Sequence, residues 1–276
     1  MQGELFVVAT PIGNLGDMVP RAVEVLQSVD LIAAEDTRHS AKLLAHFSIT
    51  TPMRSYHDQG DEGQWREYLS LLLQGQKLAL ISDAGTPLIS DPGYRLISEA
   101  RKAGIIITPI PGACAAIAAL SVAGLPSDRF QFEGFPPAKQ QARHNYFQSL
   151  NTVTATLAFY EAPHRIEASL RDMADTFGEQ RQAVIGREIT KTFETFLYGT
   201  LAELVEKISA DANQQRGEIV VLIAGASRIE EQLPQEQQRI LQLLMKELPL
   251  KKAASLTAEI TGGNKKALYK LGVELK

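Results

Sequence analysis

Cysteine is nearly absent: Cys114 is the single one in 276 residues. No internal disulfide can form, and the chain suits a reducing compartment. Long apolar runs are missing too. The longest small-apolar stretch, 113–125, is too short and too rich in Ala, Ser and Gly to span a bilayer. No basic segment precedes the apolar residues Leu5 to Ala9, which argues against a signal peptide. These absences together lead us to expect a soluble, cytoplasmic protein with no membrane partner. Charge of one sign is not in large excess, since 28 Lys and Arg face 32 Asp and Glu for a formal net charge of −4, which excludes a chain that is basic throughout. There is no Cys/His cluster, so no metal site is expected and zinc in particular is disfavoured. His57 and His164 read first as polar loop residues. Low-complexity tracts and internal repeats are also absent. What remains is a globular composition, 45% hydrophobic and 22% charged, in a chain long enough for two domains with separate cores.

Residues 1–112 alternate strand-like and helix-like patterns. Leu5 to Ala9, Leu31 to Ala34, Leu78 to Ile81 and Ile105 to Ile110 read as buried strands. Helices are expected at Arg21 to Val29, Thr37 to Phe47, Gln64 to Leu73 and Arg95 to Ala103. Such alternation implies a mainly parallel sheet covered on both faces. The texture changes over 113–226. Phe130 to Glu133, Thr154 to Tyr160, Ala183 to Ile189, Thr192 to Leu197 and Gly217 to Ala224 read as strands. Two helices, near His164 to Phe177 and Leu201 to Asp211, interrupt them. Several strands in succession predict a mixed or antiparallel second sheet. A domain boundary is expected near Pro111 to Ala115, and a linker at Ser227 to Pro234.

Four loops stand where strands end. Ile81 to Gly93, reading ISDAGTPLISDPG, follows a strand with two Asp-containing turns, two prolines and two glycines. In open α/β sheets ligands bind in the crevice beyond the carboxyl ends of the strands, so this loop reads as one that lets a ligand lie against main chain. Thr10 to Asp17 supplies a glycine-containing turn after the first strand. Its spacing is neither G-x-G-x-x-G nor a P-loop, which disfavours NAD and ATP. A plain strand-to-helix turn fits it as well. Ala34-Glu35-Asp36-Thr37-Arg38 has two readings: Asp36 or Thr37 caps the next helix with Arg38 paired to an acid, or these groups face the crevice and handle substrate. Pro109 to Ala116 opens a helix of small residues that permits close approach of a ligand or of another backbone. A fifth segment, Phe159 to Arg165, ends a strand of the second half with an aromatic pair and an acid.

The remaining residues, 233–276, carry seven lysines against three glutamates from residue 246 onward. Leu241, Leu244, Met245 and Leu248, and then Ala253, Leu256, Thr257 and Ile260, fall at helical spacing, and Asn264 is placed to cap a third helix. Lys251 with Lys252, and Lys265 with Lys266, fall at expected helix N-termini. There the macrodipole disfavours cations unless an anion docks at the same place. Lys270 joins them as an RNA-binding candidate. A nucleic-acid-binding module and a solvated lysine face both fit this pattern.

In this order, ATPIGNLGD, AEDTR, ISDAGTPLISDPG, PIPGACAA, FYEAPHR and GEIVVLIAG resemble the tetrapyrrole-methylase superfamily, the class III S-adenosylmethionine-dependent methyltransferases. Within it the likeness is to the branch that methylates the ribose 2′-oxygen of a decoding-centre cytidine in 16S rRNA of the small ribosomal subunit. Tetrapyrrole-modifying members carry a G-D-P turn where this chain has Asp83-Ala84-Gly85-Thr86-Pro87, which fits the rRNA branch better. The resemblance implies a two-domain α/β fold: a mainly parallel N-terminal sheet, a mixed second sheet, and a small α-helical extension at the C-terminus. It implies S-adenosylmethionine in the cleft between the domains, and a homodimer. Carried over by motif, the donor site comprises Asp83, Ala84, Gly85, Thr86 and Ile89, then Gly112, Ala113 and Ala115, and from the second domain Phe159, Glu161, Arg187, Glu188, Gly217 and Ile219. A ribose hydroxyl benefits from a base. Asp36 with Arg38 are the leading catalytic candidates, and Glu35 and His57 the alternatives. A methyltransferase acting on a small tetrapyrrole-like molecule and a non-catalytic RNA-binding or ribosome-assembly factor are the competing readings.

Overall fold

The computed structural model describes residues 3–57, 64–227 and 234–275. Residues 3–226 fall in one compact unit and the described residues after 226 in a second. The expected linker lies mostly outside the described residues.

Helices and strands alternate in the first half: β1 (Glu4–Val8), α1 (Pro20–Ser28), β2 (Leu31–Ala34), α2 (Thr37–His46), β3 (Met53–Ser55), α3 (Gln64–Leu73), β4 (Lys77–Ile81), α4 (Tyr94–Lys102) and β5 (Ile106–Ile110). The strands form one parallel sheet in the order β3-β2-β4-β1-β5. Alternation along each strand sends side chains to opposite faces. Val8, Ile32, Ala79 and Ile81 pack with Ala22 and Leu26 of α1 and Leu44 of α2. Leu5, Leu31, Leu78 and Leu80 pack with Tyr68 and Leu72 of α3 and Leu96 of α4. From β1 the chain crosses over one face to β2, and from β4 it crosses over the other face to β5. The sheet therefore has its switch point between the carboxyl ends of β1 and β4, where a crevice must open. The short strand β3 is an addition to the sequence reading.

In the second half come α5 (Ala115–Val122), β6 (Phe130–Gly134), α6 (Gln140–Leu150), β7 (Thr156–Glu161), α7 (Ile166–Phe177), β8 (Gln182–Arg187), β9 (Thr195–Thr200), α8 (Leu201–Ala210) and β10 (Ile219–Ile223). Their strands make a mixed sheet, β6-β7-β10-β8-β9, in which β6 and β7 run parallel and the other neighbours antiparallel. The expectation of a strand over 192–197 is shifted: β9 starts at Thr195, after a turn, and runs to Thr200. There Thr200 and Glu203 form a capping box that starts α8, a device worth about 1 kcal/mol. Helices α6, α7 and α8 cover one face of this sheet through Phe147, Leu170 and Leu204 against Leu157, Phe159, Ile185 and Val221. The other face, with Ala158, Val184, Val220 and Leu222, packs against Ala119 and Leu120 of α5 and against Ile12 from the loop after β1. Ile12 thus ties the strand ends of the first sheet to the second.

The C-terminal unit consists of α9 (Gln235–Glu247), α10 (Leu250–Thr261) and α11 (Lys265–Glu274). Leu241, Ala253, Ala254 and Leu268 form its buried centre, with Leu244, Met245 and Leu248 against them. Gly262, at φ 69°, ends α10 in the left-handed conformation, and Asn264 caps α11 by accepting from the amides of Lys266 and Ala267.

Candidate functional site

The loops after β1 and β4 are stitched together. Thr10 and Gly85 exchange main-chain hydrogen bonds, 2.9 Å from the Thr10 amide to the Gly85 carbonyl and 3.1 Å in return. Gly85 adopts φ 87°, and a Cβ there would lie 3.2 Å from Cγ2 of Ile12. This is a place where the backbone must come close, and glycine meets it without strain. The acids that follow β2 and β4 lock the same region. The Asp83 amide donates to the Glu35 carboxylate at 3.3 Å, and the Asp36 amide donates to Asp83 Oδ1 at 3.0 Å. Thr86 Oγ1 donates to the Ala113 carbonyl at 2.9 Å, joining this loop to the start of α5. Gly13 lets the stem of Lys191 pass over the first loop; a Cβ at Gly13 would collide with it. Lys191 in turn bonds Glu188 at 3.0 Å and Glu218 at 3.2 Å. Burial works against its charge, but the two carboxylates outweigh burial and hold its pKa above the ordinary value.

Between these loops and the α5-side face of the second sheet lies a cavity of about 400 Å³, within the size range of small-molecule sites. Asp83, Ala84, Gly85, Thr86 and Ile89 line one wall, and Ala115 stands at the start of α5. Glu161, Gly217 and Ile219 line it from the second sheet. Glu35 also lines it. Burial pushes the Glu35 carboxyl up, the Asp83 amide pulls it down, and the Asp83 charge raises it again, with a net rise.

Other expected residues stand elsewhere. Phe159 points to the opposite face of β7, fully buried against Phe147 in the core behind the sheet, and the strand's alternation brings Tyr160 into the cavity instead. Arg187 is buried at the end of β8, where it donates to the carbonyls of Phe193 and Arg216 and to the side chains of Gln214 and Thr195. Its guanidinium braces the neighbouring turns. Glu188 accepts from the Glu218 amide at 2.9 Å and from Lys191. Gly112 packs on Ala9, where a Cβ would sit 2.9 Å from the Ala9 Cβ, and Ala113 offers its carbonyl to Thr86. Arg187, Glu188, Gly112 and Ala113 support the walls from outside.

The leading catalytic pair also has a structural task. Asp36 caps α2, accepting from the amides of Arg38 at 2.8 Å and His39 at 3.4 Å, and these bonds, first of all that from Arg38, lower its pKa. The Arg38 side chain is 91% exposed and pairs with Asp36 at 3.3 Å. Neither lines the cavity, because the helix start that follows β2 uses both. His57 is exposed, and its main-chain amide donates to Gln64.

Sequence reasoning did not select Ile12, Asp91, Cys114, Tyr160 or Ile189, all of which line the cavity. Asp91 had a visible signal as the second acid of ISDAGTPLISDPG. Its carboxyl is pushed up to about 6, first by burial and then by the charges of Glu35 and Asp83, against a lowering bond from Ser82. The Glu161 carboxylate is saturated: it accepts from Arg165 Nε at 2.9 Å, Arg165 Nη2 at 2.6 Å, the Ala162 amide at 2.7 Å and the Ser169 hydroxyl. It fixes the end of β7. Among the described residues no group of three or more His, Cys, Asp or Glu side chains is placed to hold a metal ion.

The donor expected from the resemblance fits this cavity on its own chemistry. Apolar walls suit a flat base, the close approach at Gly85 admits a ligand to the main chain, and the carboxylates Glu35 and Asp83 suit a cationic group.

A parallel sheet with its crevice at the β1/β4 switch point, closed by a mixed sheet, is the architecture of the methylase fold. It is shared with uroporphyrin-III-C-methyltransferase from Thermus thermophilus (TM-score 0.58, 17% identity, 81% of this chain and 94% of that one). Diphthine synthase also shares it (TM-score 0.62, 15% identity, 80% and 90% covered). The chain belongs to the tetrapyrrole (corrin/porphyrin) methylases, whose family model matches residues 4–205. A second model, the RsmI C-terminal HTH domain, matches residues 231–276. Relatives named ribosomal RNA small subunit methyltransferase I are 55% identical in Pseudomonas aeruginosa (99% of this chain, 97% of that protein) and 54% identical in Vibrio cholerae (98% and 94%). Among the described residues no helix is long and apolar enough to cross a membrane.

Proposed function

We propose that this methyltransferase uses S-adenosylmethionine to methylate the ribose 2′-oxygen of a cytidine in the decoding centre of 16S rRNA, acting on the small ribosomal subunit in the cytoplasm. The observation that carries the reading is the pairing of two features in one chain. One is the switch-point cavity with its carboxylates and apolar walls. The other is the three-helix unit whose lysines cluster at helix starts. The full-length likeness to proteins named for the small-subunit rRNA supports the substrate.

The donor supplies an activated methyl group on a sulfonium. The chain's task is then alignment, which in well-oriented reactions is worth about 7–11 kcal/mol. Glu35 and Asp83 present negative charge to a cation, and Gly85 and Ala84 leave room for it. Ile12, Ile189 and Val220 exclude water from the other side. In the C-terminal unit Lys251, Lys265 and Lys266 share a depression with Asn264 and Tyr269, and Lys252 and Lys270 extend the positive charge. The positive dipole ends of α10 and α11 add to the attraction for phosphate. Tyr269 offers a ring for stacking on a base.

We further propose a homodimer. Exposed apolar side chains support it, among them Val122 (51%), Phe193 (68%) and Tyr198 (48%), with the Tyr198 hydroxyl bonded to the Val122 carbonyl. The functional test is transfer from labelled donor to small subunits of a strain lacking this protein, followed by mapping of the product. The expected product is one 2′-O-methylcytidine. Label on a base, on free tetrapyrrole alone, or nowhere would refute the reading.

A further inference from the structure

Five carboxylates border the cavity: four accept main-chain amides or pair with cations, and the fifth accepts from a side-chain hydroxyl. Glu35 holds the Asp83 amide and Asp83 holds the Asp36 amide. Glu161 is saturated by Arg165 and Ser169, and Glu218 pairs with Lys191. Asp91 differs. It lies half-buried in the cavity wall, and its carboxylate is bonded by the hydroxyl of Ser82. Ser82 is itself 2% exposed, and its Oγ also lies 3.4 Å from the Gly85 carbonyl, so its single proton turns between that carbonyl and Asp91 on the loop that closes the crevice. From the second sheet Tyr160 faces this wall, bonded to Cys114 at the start of α5. Burial, then the Cys114 and Asp91 charges, raise the Tyr160 pKa, so its phenol stays protonated and is no base. The nearby end of β6 brings Glu133, whose carboxylate is held by the Tyr146 hydroxyl.

We propose that Asp91 takes the proton of the acceptor hydroxyl during methyl transfer, and that Ser82 is its positioning residue. The assignment rests on the ribose-hydroxyl reading above. In the step, the ribose O–H bond breaks and its proton passes to the Asp91 carboxylate. The electron pair left on oxygen forms the new O–CH3 bond, and the S–CH3 bond breaks with its pair kept by sulfur. A base in this role is worth about a hundredfold to ten-thousandfold in rate.

The test uses full-length wild type, Asp91→Asn and Asp91→Glu with small subunits and labelled donor, in single turnover across pH, with donor Kd measured by calorimetry. Wild-type rate should rise with pH through about 6 and then level. Asp91→Asn should lose at least about a hundredfold in rate and lose the inflection, with donor Kd changed less than about threefold, which also certifies its fold. Asp91→Glu should recover part of the rate and restore an inflection. A carboxylate signal titrating near 6 in donor-free protein labelled at aspartate, and missing from Asp91→Asn, is the readout independent of turnover. A wild type that forms 2′-O-methylcytidine while Asp91→Asn keeps its rate within about threefold would overturn the assignment alone. So would a rate loss matched by lost donor affinity, or an Asp91 midpoint near the ordinary 3.8. A wild-type product methylated on a base would overturn the ribose reading and this step with it.

Discussion

Asp91 carries a stability signature as well as a catalytic one. Its carboxyl holds a proton up to about 6 when folded, against an ordinary value of 3.8. Between those two pH values the folded state binds more protons than the unfolded chain, so stability falls as pH rises through the window and is flat above it. Asp91→Asn removes that dependence. We predict that the variant unfolds in urea at the same midpoint as wild type near pH 3.5, and is more stable at pH 7.5. The gain is about 1 kcal/mol once solvent screening of a half-exposed group is allowed for. Equal stability at both pH values would show that Asp91 has no unfavourable environment to relieve. A substitution that stabilises the fold while slowing transfer is the pattern expected where a site holds a group in surroundings it does not favour. The sequence showed the loop that carries Asp91 but not the choice between its two acids. Asp83 follows β4 directly and attracts the reading, although its carboxylate is used by the Asp36 amide. Phe159 and Arg187 stand outside the cavity lining for a related reason. An aromatic or an arginine at a strand end looks like a ligand contact until the sheet's facing is known, and the facing depends on which helices cover which side.

Elements differed in how openly they announced themselves. The cores of β1, β2 and β4 are apolar runs, and the helices between them carry clear apolar stripes, so their order and the parallel pairing were legible. Helix α6 was not. Its buried face is Arg143, Phe147 and Leu150, and an arginine in the core reads as surface when only the sequence is seen. Arg143 is 5% exposed and pairs with Asp172 of α7, at 2.7 Å from Nε and 2.6 Å from Nη2; Asp172 also accepts from Gln140. Removing one partner strands the other charge in the interior. We predict that Arg143→Ala destabilises the fold by about 3–5 kcal/mol, measured by urea unfolding, while a paired Arg143→Met, Asp172→Leu replacement is close to neutral. Donor affinity of the folded single variant should stay within about twofold, since α6 and α7 lie on the face of the second sheet away from the cavity. A loss below about 1 kcal/mol for Arg143→Ala would mean that Asp172 finds water or another donor. The short strand β3 was silent for a simpler reason: three half-exposed or exposed residues, Met53–Ser55, give no period to detect.

At the scale of the whole chain, the two units divide the labour in the proposed function. The cavity is built entirely from residues within 12–220, whereas the lysine-bearing depression belongs to α10 and α11. The sequence led us to expect two domains over 1–112 and 113–226, where the structure groups residues 3–226 in one compact unit, and a lysine-rich helical extension over 233–276. If the C-terminal lysines meet RNA phosphates, neutralising them must weaken binding in a salt-dependent way while the donor site is untouched. We predict that replacing Lys251, Lys252, Lys265, Lys266 and Lys270 by Gln lowers affinity for small-subunit RNA at least about tenfold at 0.1 M salt. It should also flatten the plot of log affinity against log salt by about 0.7–0.9 per lost phosphate contact. Donor Kd should change by less than about twofold. The Lys265 ammonium is bonded to Ser255 Oγ at 2.9 Å, so its own share of the loss should be smaller than that of Lys266. An unchanged salt slope would assign these lysines to a solvated face and move the RNA contact to the first unit. A slope that falls together with donor affinity would instead mean that the substitutions disturb the fold beyond their own three helices.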